Sequence, residues 1–96
     1  TIGTGIGVGV VRGGETLRGM HHFEMGHIRP ARDAARDPFE GACPFHGACL
    51  EGLASGPAII KRWGKPLSEL AAKEVALIAR YVGEMCLTII LAHMPD

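Results

Sequence analysis

The clearest alternation of apolar and bare positions lies at the start of the chain. Ile6, Val8 and Val10 alternate with Gly5, Gly7 and Gly9. A period of two predicts a strand, here with one glycine edge. Gly13-Gly14 is a turn signal, and residues 15–18 can return as a second strand, so residues 1–19 read as a β-hairpin. The other end shows a helical period. Leu70, Val75, Ile78, Ala79, Val82, Cys86, Ile89 and Ile90 recur at three-to-four spacing. They predict a long helix over 69–94, with Ser68 as its cap and Cys86 packed on its apolar face as a small hydrophobe. Leu50, Leu53, Ala54, Ala58, Ile59 and Trp63 also suit a helix, but Gly56-Pro57 divides it, giving a broken helix over 51–63 and a linker over 64–68. Residues 20–50 hold no period and contain Pro30, Pro38 and Pro44. A loop this long in a compact domain needs an organiser.

Composition narrows the class. Ninety-six residues make one small domain, and 47% hydrophobic content is too high for a disordered tail. Fourteen glycines, mostly before residue 60, leave much of the chain loop-rich. The formal charge of zero, ten basic against ten acidic residues, argues against a nucleic-acid surface. Arg29, Arg32 and Arg36 are interleaved with Asp33 and Asp37, which reads as a solvated loop face. The glycine-rich N-terminus lacks the pattern of a secretory leader. Residues 75–94 are the most apolar stretch, but Arg80 and Glu84 interrupt it, so the expectation is a buried helix and no membrane span. Three cysteines cannot all pair, which favours a reduced, cytoplasmic chain. The start at Thr1 and the stop at Pro95-Asp96 look like cuts from a larger protein.

The chemistry concentrates in one spacing. His27, Cys43, His46 and Cys49 read H-x15-C-x2-H-x2-C. Two thiols and two imidazoles complete a tetrahedral set for zinc, and a set closed by protein ligands is structural rather than catalytic. The alternatives are a Cys43–Cys49 disulfide, or free thiols beside surface histidines. Glu24 and Glu51 flank the set and could accept hydrogen bonds from a polyol, or be plain surface glutamates. The glycine-rich run Thr1-Ile2-Gly3-Thr4-Gly5-Ile6-Gly7 could approach phosphate oxygens closely, or serve only as a hairpin edge. His21 and His22 read as an exposed loop pair, and Met20, Met25, Met85 and Met94 as packing residues.

Taken together, TIGTGIG, EMGH and CPFHGACLEGLASGPAI resemble the ROK family of sugar kinases, and the C-x2-H-x2-C loop resembles its bacterial fructokinase branch. The resemblance is strong over residues 1–63 and general over 64–96. It implies an α/β, actin-like (ribonuclease H-like) ATPase fold, of which residues 1–96 would be part of the second lobe. It implies that Thr1, Gly3, Thr4 and Gly5 face the ATP phosphates, and that Glu24, His27 and Glu51 contact the sugar. His27, Cys43, His46 and Cys49 would hold structural zinc, with Mg-ATP as co-substrate. The implied parent phosphorylates a hexose, with fructose to fructose 6-phosphate as the expected reaction, as a cytoplasmic homodimer. The family's catalytic aspartate stands on an Asn-Asp motif upstream of the glycine-rich strand, and this chain does not contain it. The first-lobe nucleotide motif and the adenosine loop are likewise not in it, and Phe23 and Val8 replace a common proline and glycine. The isolated chain is therefore expected to be inactive. Two rivals are a non-catalytic zinc module or relic, and a sugar-responsive repressor of the same family. Neutral charge and the C-x2-H-x2-C spacing count against the repressor.

Overall fold

A computed structural model describes residues 1–96 as a small α/β piece. Strands β1 (Val11–Arg12) and β2 (Glu15–Thr16) come first, then a 3-10 turn at Met25–His27. Helices α1 (Leu50–Ala54) and α2 (Gly56–Trp63) follow, then a 3-10 turn at Leu67–Glu69 and helix α3 (Ala72–His93).

β1 and β2 are antiparallel, with Val11 opposite Thr16 and Arg12 opposite Glu15. Gly13 and Gly14 turn the chain at φ +60° and +81°. Two left-handed residues match the twist of a tight hairpin, which is why glycine is needed at both. Regular pairing is much shorter than the alternation predicts. Burial still alternates: Ile6 is buried and Val8 and Val10 half-buried, while Gly7 and Gly9 are exposed. An extended segment becomes a strand only where a neighbour takes its backbone hydrogen bonds. Residues 1–7 instead curl on themselves, with Gly7 N–H donating to Thr1 at 3.0 Å and Gly3 N–H to Gly5 at 2.9 Å.

The helices divide at Ser55, which ends α1 and caps α2 by accepting from Ala58 N–H at 3.3 Å. Pro57 falls in the first turn of α2, where its missing N–H costs nothing. Gly64, at φ +69°, closes α2. Ser68 does not cap α3. It lies in the 3-10 turn, and the Glu74 carboxylate accepts from Ala71 N–H at 2.7 Å instead.

α1 is the centre of the core. Leu50 and Leu53 have no exposed surface, and they cluster with Ile6, Ala54, Ile59, Ile78, Tyr81 and Met85. On α3 the buried residues are Ile78, Tyr81 and Met85. Cys86 is exposed, contrary to the sequence expectation, because each helical step turns the side chain by about 100° away from Met85. Met20 and Met94, expected to pack, are 93% and 75% exposed. Leu87, Ile90 and Leu91 also face outward. By length and composition α3 is apolar enough to cross a membrane, and its inner face packs on α1.

The charged loop departs most from expectation. Asp33 and Arg36 form an exposed pair, 3.5 Å apart. Asp37, read as solvated, is only 3% exposed. It accepts hydrogen bonds from the Arg62 guanidinium of α2 and the Tyr81 hydroxyl of α3. Charge alternation along a loop cannot reveal this, since the partners lie far along the chain. Burial alone would raise the Asp37 carboxyl, but the Tyr81 hydroxyl and the Arg62 guanidinium overcome it and hold it below the usual carboxylate value. Burial, then the adjacent Asp37, pushes Tyr81 up to about 12. Because it is the single tyrosine, its phenolate absorbance reads this group alone. We expect a midpoint near 12 in the folded chain, against about 10 in denaturant. The neutral phenol is favoured by folding, so its stabilisation holds below the unfolded value and is lost as pH rises toward the folded one. A folded-state midpoint equal to the denatured one would show that the Asp37–Tyr81 contact is not formed.

Candidate metal centre and the glycine loop beside it

The centre is assembled from three backbone pieces, each kept close by glycine. The first is the turn Met25–His27, where His27 N–H returns to the Glu24 carbonyl at 3.0 Å. Gly26 is buried there, and a Cβ on it would lie 1.9 Å from the Ile6 carbonyl oxygen. The turn therefore packs directly on the N-terminal segment. The second piece is a knuckle in which Cys43 and Gly47 exchange backbone hydrogen bonds of 3.3 and 2.9 Å. Gly47, at φ +58°, closes it. The third is the start of α1, where the Cys49 sulfur caps the helix by accepting from Gly52 N–H at 3.4 Å. Ala42 N–H donates to Gly52 at 2.8 Å and fastens the knuckle to α1.

These pieces bring His27, Cys43, His46 and Cys49 together, with one ligand atom from each lying within 4.8 Å of the others. His27 Nδ1 is 3.5 Å from Cys49 Sγ and 3.9 Å from Cys43 Sγ, and His46 Nδ1 is 3.7 Å from Cys43 Sγ. Zinc bonded tetrahedrally to sulfur at about 2.3 Å and nitrogen at about 2.0 Å sets S···N separations near 3.5 Å. The donor set thus fits a zinc ion in chemistry and in spacing. Both thiols are buried and unpaired. Burial raises Cys43, but N–H groups of Phe45 and His46 outweigh it and lower the thiol. Burial, with Cys43 beside it, raises Cys49. Two adjacent thiolates in a buried site repel each other, and a divalent ion supplies the charge that lets both ionise.

The two glutamates have different partners. Glu24 is 62% exposed, 2.6 Å from His22 Nε2 and 3.8 Å from His27 Nε2. It therefore faces the His27 nitrogen turned away from the sulfurs. Glu51 reaches the glycine-rich loop, where its Oε2 accepts from Ile6 N–H at 2.9 Å. The same oxygen lies 2.9 Å from the position of a Cβ on Gly5. Gly3 offers its carbonyl to Gly56 N–H of α2 at 2.8 Å. The loop containing Thr1, Gly3, Thr4 and Gly5 is thus joined to the metal centre through α1 and α2, although none of these residues belongs to the ligand set. Thr1, Gly3 and Thr4 are exposed. Sequence reasoning missed Arg62 and Tyr81. A lone tyrosine inside an apolar helical stripe was the available signal, since a buried hydroxyl needs a partner.

The profile of the ROK family matches residues 1–91. The chain is 47% identical over 93 residues to a fructokinase of Zymomonas mobilis, covering 93% of this chain and 31% of that protein. It is 55% identical over 71 residues to a putative fructokinase of Bacillus subtilis, covering 74% and 23%. It is 40% identical to a fructokinase of Pediococcus pentosaceus, covering all of this chain and 34% of that one. The chain thus spans between 23% and 34% of the length of these curated relatives. The crystal structure of a ROK hexokinase from Thermus thermophilus superimposes with a TM-score of 0.69 at 32% identity, over 99% of this chain and 36% of that one. The profile match over nearly the whole length, with that structural likeness, makes this chain a member of the ROK family.

Proposed function

We propose that these residues are the zinc-bearing, sugar-side segment of an ATP-dependent hexose kinase, with fructose as the substrate. They would form part of the second lobe of an actin-like fold. The observation that carries the reading is the Glu51 carboxylate. It follows the ligand Cys49 by two residues and bonds the backbone of the glycine loop. One short helix therefore links a metal centre, a sugar-binding candidate and a phosphate-binding candidate.

Phosphoryl transfer asks mainly for positioning and charge stabilisation. In this reading Glu24, His27 and Glu51 accept or donate hydrogen bonds to sugar hydroxyls. The backbone amides and hydroxyls of Thr1, Gly3, Thr4 and Gly5 approach the phosphates of Mg-ATP. Zinc, held by His27, Cys43, His46 and Cys49, supplies rigidity alone. Glu24 beside the outer nitrogen of His27 is the kind of partner that orients a metal-bound imidazole. Neither Asp33 nor Asp37 is placed to take the proton of an attacking hydroxyl. Asp33 binds Ala35 N–H at 2.9 Å in an exposed turn, and Asp37 is buried against Arg62 and Tyr81. The chain alone is therefore proposed not to turn over. The reading carries with it a cytoplasmic, homodimeric parent.

A chimera tests this. Residues 1–91 replace the matching third of the Zymomonas mobilis fructokinase. We expect fructose phosphorylation, and a fall in kcat/KM of about 10- to 100-fold for Glu51→Gln, the scale of a part-buried charge-assisted contact. A folded, zinc-loaded chimera that phosphorylates no hexose would overturn the reading. Full activity in Glu51→Gln would remove Glu51 from the site.

A further inference from the structure

The segment between His27 and Cys43 carries no metal ligand, yet the ligand set closes only if this arm returns to the same place. Regular structure does not hold it. Its ends are anchored on α1, where Ile28 accepts from Leu50 N–H and Ala42 N–H donates to Gly52, both at 2.8 Å. Its middle is anchored by Asp37. One carboxylate oxygen accepts from Arg62 Nη1 at 3.2 Å and from the Tyr81 hydroxyl, and the other from Arg62 Nη2 and from Phe39 N–H at 3.3 Å. Arg32 Nη1 stands 4.0 Å from the carboxylate and donates to the Phe39 carbonyl at 2.6 Å. The Arg62 guanidinium lies 4.3 Å over Trp63 and 5.2 Å over Phe39. The Arg62 and Asp37 side chains are 12% and 4% exposed. Asp37 thus joins the arm, α2 and α3 in one buried cluster that includes none of the four ligands.

We propose that Asp37 is a positioning residue for the metal centre. It staples the arm to α2 and α3 without metal, so that His27 and the knuckle are already opposed when zinc arrives. Ordering a long loop costs conformational entropy, and a loop ordered beforehand does not draw that cost from metal affinity. The affinity part of this inference rests on the zinc reading above, whereas the stapling of the arm does not.

Two measurements on the 96-residue chain decide it. Amide hydrogen exchange is followed in chelator, and zinc affinity is measured by competition, for wild type, Asp37→Asn and Tyr81→Phe. We expect the metal-free wild type to protect Asp37, Phe39 and Ala42 amides, and Asp37→Asn to lose this while Leu53 and Ile59 stay protected. Zinc affinity should fall about 10- to 100-fold in Asp37→Asn, the scale seen when supports of metal ligands are removed, and less in Tyr81→Phe. A general loss of stability would instead lower protection everywhere. Unchanged arm protection and unchanged affinity in Asp37→Asn would overturn the proposal. If that variant does not fold, Tyr81→Phe decides, and wild-type affinity with wild-type arm protection in it would overturn the proposal. A wild-type chain that binds no zinc would sink the metal reading, while exchange of the metal-free arm still decides the role of Asp37.

Discussion

Replacing Cys49 by serine is expected to abolish metal binding and to loosen α1 together with the loop before it. Cys49 has no exposed surface. Its sulfur lies 3.5 Å from His27 Nδ1 in the ligand set and also accepts the first-turn N–H of Gly52. A serine oxygen can keep the cap, but it is a poor zinc ligand beside thiolate and imidazole. Structural zinc contributes roughly 10–16 kcal/mol of apparent binding free energy in small zinc domains near neutral pH, and that binding is coupled to folding. A chain of 96 residues with a small core has little stability to set against such a loss. Elemental mass spectrometry on reduced protein should give one zinc per wild-type chain and none for Cys49→Ser. Trp63 fluorescence is expected to shift alike in the variant and in wild type treated with chelator. One zinc per chain retained in Cys49→Ser would exclude the tetrahedral set described here. Since thiolate and imidazole must shed protons to bind, zinc should also leave as pH falls.

The second large effect comes from one methyl group. Gly52→Ala would ordinarily favour a helix by about 1 kcal/mol. At this position a Cβ would lie 1.9 Å from the Gly47 carbonyl oxygen, 2.9 Å from Cys43 N and 3.0 Å from Cys43 Cβ. The first two are backbone atoms of the knuckle, so no side-chain rotation relieves the clash. Either α1 or the knuckle must move, and overpacking of this kind costs about 3 kcal/mol or more. For a domain of this size that corresponds to a drop of about 12 °C or more in Tm. Zinc affinity should fall with it, because the displaced knuckle carries Cys43 and His46. Gly83→Ala on α3 is the control, since it meets nothing within 4 Å and should melt at or slightly above wild type. A Gly52→Ala variant that melts with Gly83→Ala would show that α1 and the knuckle are not in contact.

Much of the candidate centre was legible before any coordinates. Ligand chemistry needs particular residue types at short separations, and C-x2-H-x2-C states three of them within one turn of chain. The long helix and the break near Gly56-Pro57 were legible because helical period and proline act locally. The extent of the strands was not. Alternation shows which side of an extended segment is apolar, but hydrogen-bonded pairing depends on neighbours, and here the sheet is confined to β1 and β2. Nor did the apolar stripe of α3 show which part of it is buried. Ile78, Tyr81 and Met85 face α1 while Cys86 does not, a rotation set by what the helix meets.

From the sequence alone came the four candidate metal ligands, the two flanking glutamates, the glycine-rich segment and the family resemblance, all features carried by residue type and short spacing. Tertiary structure alone decided that Asp37 is buried against Arg62 and Tyr81, that Glu51 grips Ile6 N–H, and that Gly26 and Gly52 are points of backbone contact. Each of these joins positions at least 5 residues apart along the chain, counted from Gly47 to Gly52. They depend on how separate segments meet in space, which residue type and periodicity do not encode.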